Sequence, residues 1–317
     1  MKKILVTGGA GFIGSNIVEK LLELGYQVRV LDNLSSGKQE NVDLFIHHPN
    51  YEFVLGDIRN YDVCLKACEG IYAINHQAAL GSVPRSIQFP IPTNENNIDG
   101  FLNMLCAARD IGIKRFVFAS SSSVYGDEMN LPKVENRIGK PLSPYAVTKV
   151  TNEVYADVFA KTYGMELIGF RYFNIFGPRQ DPNGQYAAVM PLFIKMLLNN
   201  EAPYINGDGD QSRDFTYVDN AVQANILGLT TEKSEALNQI YNIALGERFT
   251  INQMYDAICE ILDKDIKALH REPREGDIRD SLADISKAKN LLGYQPTHRF
   301  KDGLPLTVDY FKKVFEK

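Results

Sequence analysis

Short apolar runs alternate with longer segments of helical periodicity through the first half of the chain. The run "KILVT" (3–7) is continuously apolar over a strand's length, as a strand buried on both faces requires. After it, "FIGSNIVEKLLELG" (12–25) repeats apolar residues at helical spacing and stops at Gly25, which predicts a helix. Further strands are predicted at 26–32, 51–58, 71–79, 115–121 and 165–177. A long helix is predicted over 94–112, and another after the turn-forming start of "PLSPYAVTKV" (141–150). Strands separated by helices specify a parallel sheet with right-handed crossovers and helices on both faces. The expected fold class is therefore α/β, a doubly wound parallel sheet of the Rossmann type.

The pattern changes after Gly177. "PRQDPNGQYAAVMP" (178–191) is rich in turn residues, the apolar runs shorten, and loops such as "NGDGDQSRD" (206–214) and "REPREGDIRD" (271–280) intervene. This division predicts a nucleotide-binding domain over 1–174 and a smaller C-terminal α/β substrate domain over 175–317, with a cleft between them as a ligand site. A segment near 214–245, beginning "DFTYVDNAVQANILGL", has the pattern of a strand and helix that return to the first domain. The sequence has neither an internal repeat nor a low-complexity stretch.

With 317 residues, 44 % apolar and 23 % charged, the chain has an ordinary globular composition. A net charge of −5 provides no general basic surface for nucleic acid or an anionic membrane, so an anionic ligand would need individually placed arginines. No run approaches the ~18 apolar residues of a membrane span, and the opening "ILV" is too short for a signal peptide, so a soluble, cytoplasmic protein is expected. The four cysteines (Cys64, Cys68, Cys106 and Cys259) form no C-x-x-C pair and have no histidine cluster nearby. They read as buried free thiols in a reducing compartment, and no metal site is expected.

Candidate chemistry begins at "TGGAGFIG" (7–14), between the first strand and the first helix. Gly8, Gly11 and Gly14 have the spacing that allows a tight turn, close approach of the backbone to a pyrophosphate, and close helix–strand packing. Free N–H groups at the helix start would hold the phosphates. Asp32 ends the second strand, where a carboxylate can accept hydrogen bonds from the adenosine ribose and repel a 2′-phosphate. The expected cofactor is therefore NAD. Asp57 and Ile58, at the end of the third predicted strand, are placed to meet the adenine.

The fifth predicted strand ends in "ASSSSVYG" (119–126), and in a doubly wound sheet ligands sit outside such carboxyl ends. Tyr145 and Lys149 share one face of the following helix at i,i+4 spacing. That spacing alone is an ordinary helix pair. Beside a nicotinamide, however, a serine, a tyrosine and a lysine supply what hydride chemistry on an alcohol needs, a base for the hydroxyl proton and a cation that favours the phenolate.

Together "TGGAGFIGS", "SSSVYG", "SPYAVTK" and "RYFNIFGPRQDP" resemble the extended short-chain dehydrogenase/reductase family, and within it the nucleotide-sugar 4-epimerases, over nearly the whole chain. "PRQDPNGQYAAVMP", "YINGDGDQSRDFTYVDN" and "REGDIRDSLADISKA" are most similar to the bacterial subgroup acting on UDP-N-acetylhexosamines. The resemblance implies that Tyr145 is the general base, that Lys149 lowers its pKa, and that Ser121 relays the proton, with Ser122 and Ser123 beside the sugar. It implies a cofactor site that also includes Phe12, Ile13, Asn33, Ser36, Gly37, Gln77 and Tyr172. For the substrate it implies Gly81 and Ser82 at the hexose, Asn174 at the diphosphate, and Ala188 and Val189 at the uracil, with Tyr204 and Asn206 close by. Arg213 and Arg274 would clamp the pyrophosphate, a task suited to a planar guanidinium.

Ser281 matches a gate beside the sugar's C2 substituent, where a small residue leaves room for an N-acetyl group and a tyrosine would clash. The implied reaction inverts C4 of a UDP-hexose, foremost UDP-GlcNAc and UDP-GalNAc, through a 4-keto sugar, with NAD regenerated in each cycle. A 4,6-dehydratase would carry threonine followed by Asp-Glu, and a UDP-glucuronate decarboxylase a glutamate, where this chain has only serines. UDP-glucose and UDP-glucuronate 4-epimerases remain as alternatives, as does a non-catalytic NAD sensor, which would lack the Tyr–Lys pair. The family pairs through two helices per subunit, here 94–112 and 146–162, so a homodimer is expected.

Overall fold

A computed structural model describes residues 2–183, 188–272 and 279–315. The first six strands in chain order are β1 (Lys3–Thr7), β2 (Gln27–Asp32), β3 (Tyr51–Leu55), β4 (Ala73–His76), β5 (Arg115–Ser121) and β6 (Glu166–Tyr172). With the strand Gln239–Ile243 they form a seven-stranded parallel sheet. From one edge the order is Gln239–Ile243, β6, β5, β4, β1, β2, β3. The order reverses between β1 and β4, which opens a crevice at the strands' carboxyl ends.

Alternation along the strands builds two cores. Ile4 and Val6 face one, with Ile17, Val18 and Leu21 of the helix Phe12–Glu23 and Val218 and Ala221 of the helix Val218–Thr230. Leu5, Phe116 and Phe118 face the other, with residues of the helices Tyr61–Cys68, Gly100–Ile111 and Pro144–Tyr163. Cys64 and Cys68 lie in this second core, and burial pushes both thiols up to about 12.

Several boundaries differ from the expected ones. β3 stops at Leu55 and β4 at His76, because the chain leaves the ladder to form the crevice's loops. The run 165–177 is not one strand: Asn174 takes φ +38 and turns the chain into a two-residue strand, Ile175–Phe176, which pairs with Thr216–Tyr217 outside the main sheet. The expected helix 94–112 begins earlier, at Pro90, and carries a π-turn, Glu95–Asp99, between Pro90–Asn94 and Gly100–Ile111. The strand Gln239–Ile243 was not expected as a strand.

The smaller region packs the helices Val189–Leu198, Ile251–Leu262 and Phe300–Phe315 around an aromatic cluster. Phe300 contacts Phe176, Phe215 and Phe249. Among the described residues, no helix is long and apolar enough to cross a membrane, and no His/Cys/Asp/Glu group is arranged to hold a metal ion.

Candidate active site

A cavity of about 680 Å³ occupies the crevice. Its floor is the turn between β1 and the first helix, where Gly8, Gly11, Phe12, Ile13 and Gly14 all reach the wall. Gly8 takes φ +70, and a Cβ there would lie 2.6 Å from the Ala78 backbone nitrogen; one on Gly14 would lie 2.1 Å from the Gly8 carbonyl oxygen. Only glycine permits this closeness. The first turn of the helix above carries no acidic residue, so its N–H groups are available to an anion.

Asp32, Asn33, Ser36 and Gly37 line the next part of the wall. The Asp32 carboxylate accepts the Ala10 N–H at 3.0 Å and the Leu34 N–H at 2.8 Å, while burial pushes its pKa up. A Cβ on Gly37 would stand 2.8 Å from Asp32 Oδ1, so glycine here keeps the carboxylate's surroundings open. A glycine-rich turn, a helix start without acids and a strand-end carboxylate fit a dinucleotide's pyrophosphate and ribose. Ile58, Gln77 and Tyr172 also line the cavity. Asp57 does not line it, contrary to its expected adenine contact. Its carboxyl is held by Arg59 at 2.7 Å and Asn33 at 3.0 Å, and the Arg59 guanidinium lowers its pKa to about 2.

Tyr145 and Lys149 line the far end of this cavity. Ser143 caps their helix, its hydroxyl accepting the Ala146 N–H at 3.2 Å, and Pro144 follows in the first turn. This cap places Tyr145 at the helix start and Lys149 one turn on. The Lys149 ammonium lies 5.9 Å from the Tyr145 ring centroid and donates to the Ala119 carbonyl at 2.8 Å. The electrostatics differ from the expected balance. Burial pushes the Tyr145 phenol up, opposed by its hydrogen bond with the Ser121 hydroxyl, and burial lowers Lys149 to about 8. Desolvation of the buried phenol outweighs that hydrogen bond.

The serine run is placed less simply than expected. Ser120, not among the expected site residues, lines the cavity, whereas Ser121, Ser122 and Ser123 line neither this cavity nor the next. Ser121 stands at the Tyr145 phenol and accepts the Ser123 N–H at 3.1 Å.

A second cavity of about 340 Å³ adjoins the first, and Gly81, Ser82, Gln180 and Ala188 line both. Asn174, Val189, Tyr204, Asn206 and Arg213 complete the expected set on its wall. Asn206 Oδ1 accepts Arg271 Nε at 2.6 Å, and the Arg271 guanidinium lies over the Tyr204 ring at 5.6 Å. Arg213 is braced by the carbonyls of Ser212 at 2.9 Å and Arg279 at 3.0 Å. Behind it, the buried Asp214 accepts three backbone N–H groups, from Leu245, Gly246 and Ala283, and burial pushes its carboxyl up to about 7.

Arg274 lies outside the described residues. Ser281 is bonded through its N–H to the Ser212 carbonyl at 3.1 Å, next to Arg213, but it does not reach either cavity wall. The turn after it is capped by Asp284, which accepts the Ser286 N–H at 2.7 Å. Gln180 was not among the expected residues, although it belongs to the quoted "RQDP". Its Oε1 is buried without a partner, and its Nε2 donates to the Ile175 carbonyl at 3.1 Å. Phe176, Phe193 and Phe215, also on the second wall, look like ordinary core residues in the sequence and carried no signal.

The arrangement sets a phenol and an ammonium at the end of a dinucleotide-sized cavity that opens into an arginine-bearing one. It can deprotonate an alcohol while the alcohol's carbon gives up hydride.

A family model described as the NAD dependent epimerase/dehydratase family matches residues 4–244. The chain is 42 % identical to UDP-N-acetylglucosamine 4-epimerase of Methanobrevibacter ruminantium M1, solved with UDP-N-acetylmuramic acid; the match covers 99 % of each chain with TM-score 0.94. It is 39 % identical to UDP-glucose 4-epimerase of Thermotoga maritima, solved with UDP-glucose, over 99 % of each chain with TM-score 0.93. It is 33 % identical to UDP-glucuronic acid 4-epimerase of Bacillus cereus, solved with UDP-glucuronic acid and NAD, over 98 % of this chain and 99 % of that one, with TM-score 0.92. The chain belongs to the NAD dependent epimerase/dehydratase family, and its cofactor is NAD.

Proposed function

We propose that the protein is a UDP-sugar 4-epimerase whose preferred substrates are UDP-GlcNAc and UDP-GalNAc. The observation that carries the reading is the pair of adjoining cavities, with Tyr145 and Lys149 in the first and Arg213 in the second. Tyr145, as phenolate, takes the proton of the hexose 4-hydroxyl, with Ser121 in position to relay it. The Lys149 ammonium offsets the negative charge on the phenolate. NAD, held along the Gly8–Gly14 turn and at Asp32, would supply the hydride acceptor for C4 and the donor for its return to the opposite face. Between those events the 4-keto sugar turns about its link to the diphosphate, which Arg213 holds through the guanidinium's fork of donors. Ser122 and Ser123, not carboxylates, directly follow Ser121, which disfavours dehydration.

The preference for N-acetylated sugars is supported by the unpartnered Oε1 of Gln180, a residue that lines both cavities, as an acceptor suited to an amide N–H; the gate role of Ser281 rests on the sequence resemblance alone. The exposed face of the catalytic helix supports a homodimer. Val147, Val154 and Val158 are 47 %, 58 % and 47 % exposed and form one stripe at helical spacing.

Product analysis with UDP-GlcNAc, UDP-GalNAc, UDP-Glc and UDP-glucuronate, without added NAD, tests the reading. UDP-GlcNAc should yield UDP-GalNAc, and Ser281→Tyr should lose the N-acetylated substrates first. A strong preference for UDP-Glc or UDP-glucuronate would overturn the N-acetyl assignment. Failure to epimerise any of the four would overturn the activity itself.

A further inference from the structure

One turn beyond Lys149 on the same helix stands Glu153, only 10 % exposed and unused in the chemistry above. Its Oε1 accepts the Ser120 hydroxyl at 2.5 Å and Arg171 Nε at 2.9 Å; its Oε2 accepts Arg171 Nη2 at 2.7 Å. Arg171, on β6 and 4 % exposed, also donates to the Glu135 carbonyl at 3.0 Å and lies 4.9 Å from the Tyr125 ring centroid. Ser120 adjoins Ala119, whose carbonyl receives the Lys149 ammonium, and Ser121, which meets the Tyr145 phenol.

We propose that Glu153 is a positioning residue for the catalytic lysine, keeping Lys149 charged in a buried setting and locking the end of β5 through Ser120. The proposal rests on the roles given above to Tyr145 and Lys149. Burial alone favours the neutral amine, and Glu153 is the charge that opposes it. The other charged or titratable groups facing this cluster are Tyr125 from the turn after β5, Arg171 from β6, Glu135 and Lys287 from outer segments, and His76 from β4 on the Lys149 side. Lys149, Arg171 and Glu153 together carry one positive charge, which a Tyr145 phenolate neutralises. Glu153→Gln would leave two cations without an anion between them, and the amine would shed its proton at lower pH. A buried ion pair is often only structural, so the measurement must read Lys149 itself.

The test follows the Lys149 resonance in protein labelled with [ε-13C]lysine, assigned by its absence from Lys149→Met, alongside kcat and KM profiles against pH. Glu153→Gln should lower the Lys149 pKa by about one unit or more and move the alkaline limb of kcat by the same amount, with KM little changed. Glu153→Asp should restore most of that shift. Arg171→Gln should move the Lys149 pKa the other way, which keeps the proposal open to refutation if Glu153→Gln does not fold. An unmoved Lys149 pKa in the folded Glu153→Gln variant, a uniform fall in kcat at every pH, or a Lys149 pKa that fails to rise in Arg171→Gln would overturn it. The resonance needs no substrate. A shifted pKa in a protein that epimerises nothing would condemn the catalytic reading while leaving the hold of Glu153 on the Lys149 charge, so the two failures are distinguishable.

Discussion

Two glycines of one turn should fail in different ways when replaced by alanine. A Cβ on Gly14 would lie 2.1 Å from the Gly8 carbonyl oxygen and 2.9 Å from Gly9 Cα, so the Gly8–Gly9 backbone would have to retreat by about 1 Å. That carbonyl also receives the Gly11 N–H at 3.1 Å, so it cannot move alone. Overpacking of this kind costs about 1–3 kcal/mol, here near the top of the range, and alanine's better helix propensity returns about 1 kcal/mol. The net loss is about 2 kcal/mol. At an unfolding entropy of about 2.1 cal/mol/K per residue, a chain of this length loses about 1.5 °C per kcal/mol, so Gly14→Ala should lower Tm by about 3 °C. On Gly11 the Cβ would meet only the Gly8 oxygen, at 3.2 Å, from an extended N-cap backbone, and the cost is about 0.5 kcal/mol, or under about 1 °C. Both variants should lose NAD affinity by at least about tenfold, Gly14→Ala through the displaced turn and Gly11→Ala through a methyl in the pyrophosphate's place. Thermal unfolding of NAD-free protein and calorimetric titration with NAD read the two effects separately. Parent-like Tm and affinity in Gly14→Ala, or equal Tm losses in both variants, would refute the reasoning.

Tyr145→Phe removes the group proposed to take the hydroxyl proton and should abolish epimerisation while NAD and UDP still bind; retained turnover would remove Tyr145 from its role. His76, whose Nδ1 is 2.9 Å from the Thr7 hydroxyl, is held at about 3 by burial, with the Lys149 charge adding to the shift. Its depressed folded pKa means stability is intact above the unfolded value of about 6.5 and falls as pH drops towards 3, by about 2 kcal/mol between pH 7 and 5. Urea midpoints at the two pH values should show this slope in the parent and a smaller one in His76→Asn, and equal slopes would exclude His76 as its source. Val154→Lys places a charge in the middle of the exposed apolar stripe and should convert a dimer to a monomer in sedimentation, whereas an unchanged mass would move the interface elsewhere.

What the sequence revealed, and what it hid, follows from the range of the interactions involved. Strands buried on both faces must be apolar throughout, so "KILVT" was legible, as was the glycine turn, because a missing Cβ is a local backbone requirement. The start of the catalytic helix was legible for the same reason, since Ser143 and Pro144 act within one turn. The break at Asn174 was not. Its neighbours read as a continuous apolar run, and only the φ of +38 separates them. The strand Gln239–Ile243 was hidden by its polar residues. Asn242 is buried because it accepts the Tyr125 hydroxyl at 2.6 Å and donates to the carbonyls of Lys133 and Asp284, partners far away in sequence. Four consecutive serines cannot announce which one faces a cavity, since that depends on where β5 ends. Arg171 did leave a trace, a guanidinium inside the apolar strand "ELIGFRY", where a charge persists only if something buried answers it. The answer, Glu153, looks in the sequence like any solvent-facing helix residue. A buried charge in a strand was therefore the legible half of the pair, and the turn of helix after Lys149 was where its partner had to be sought.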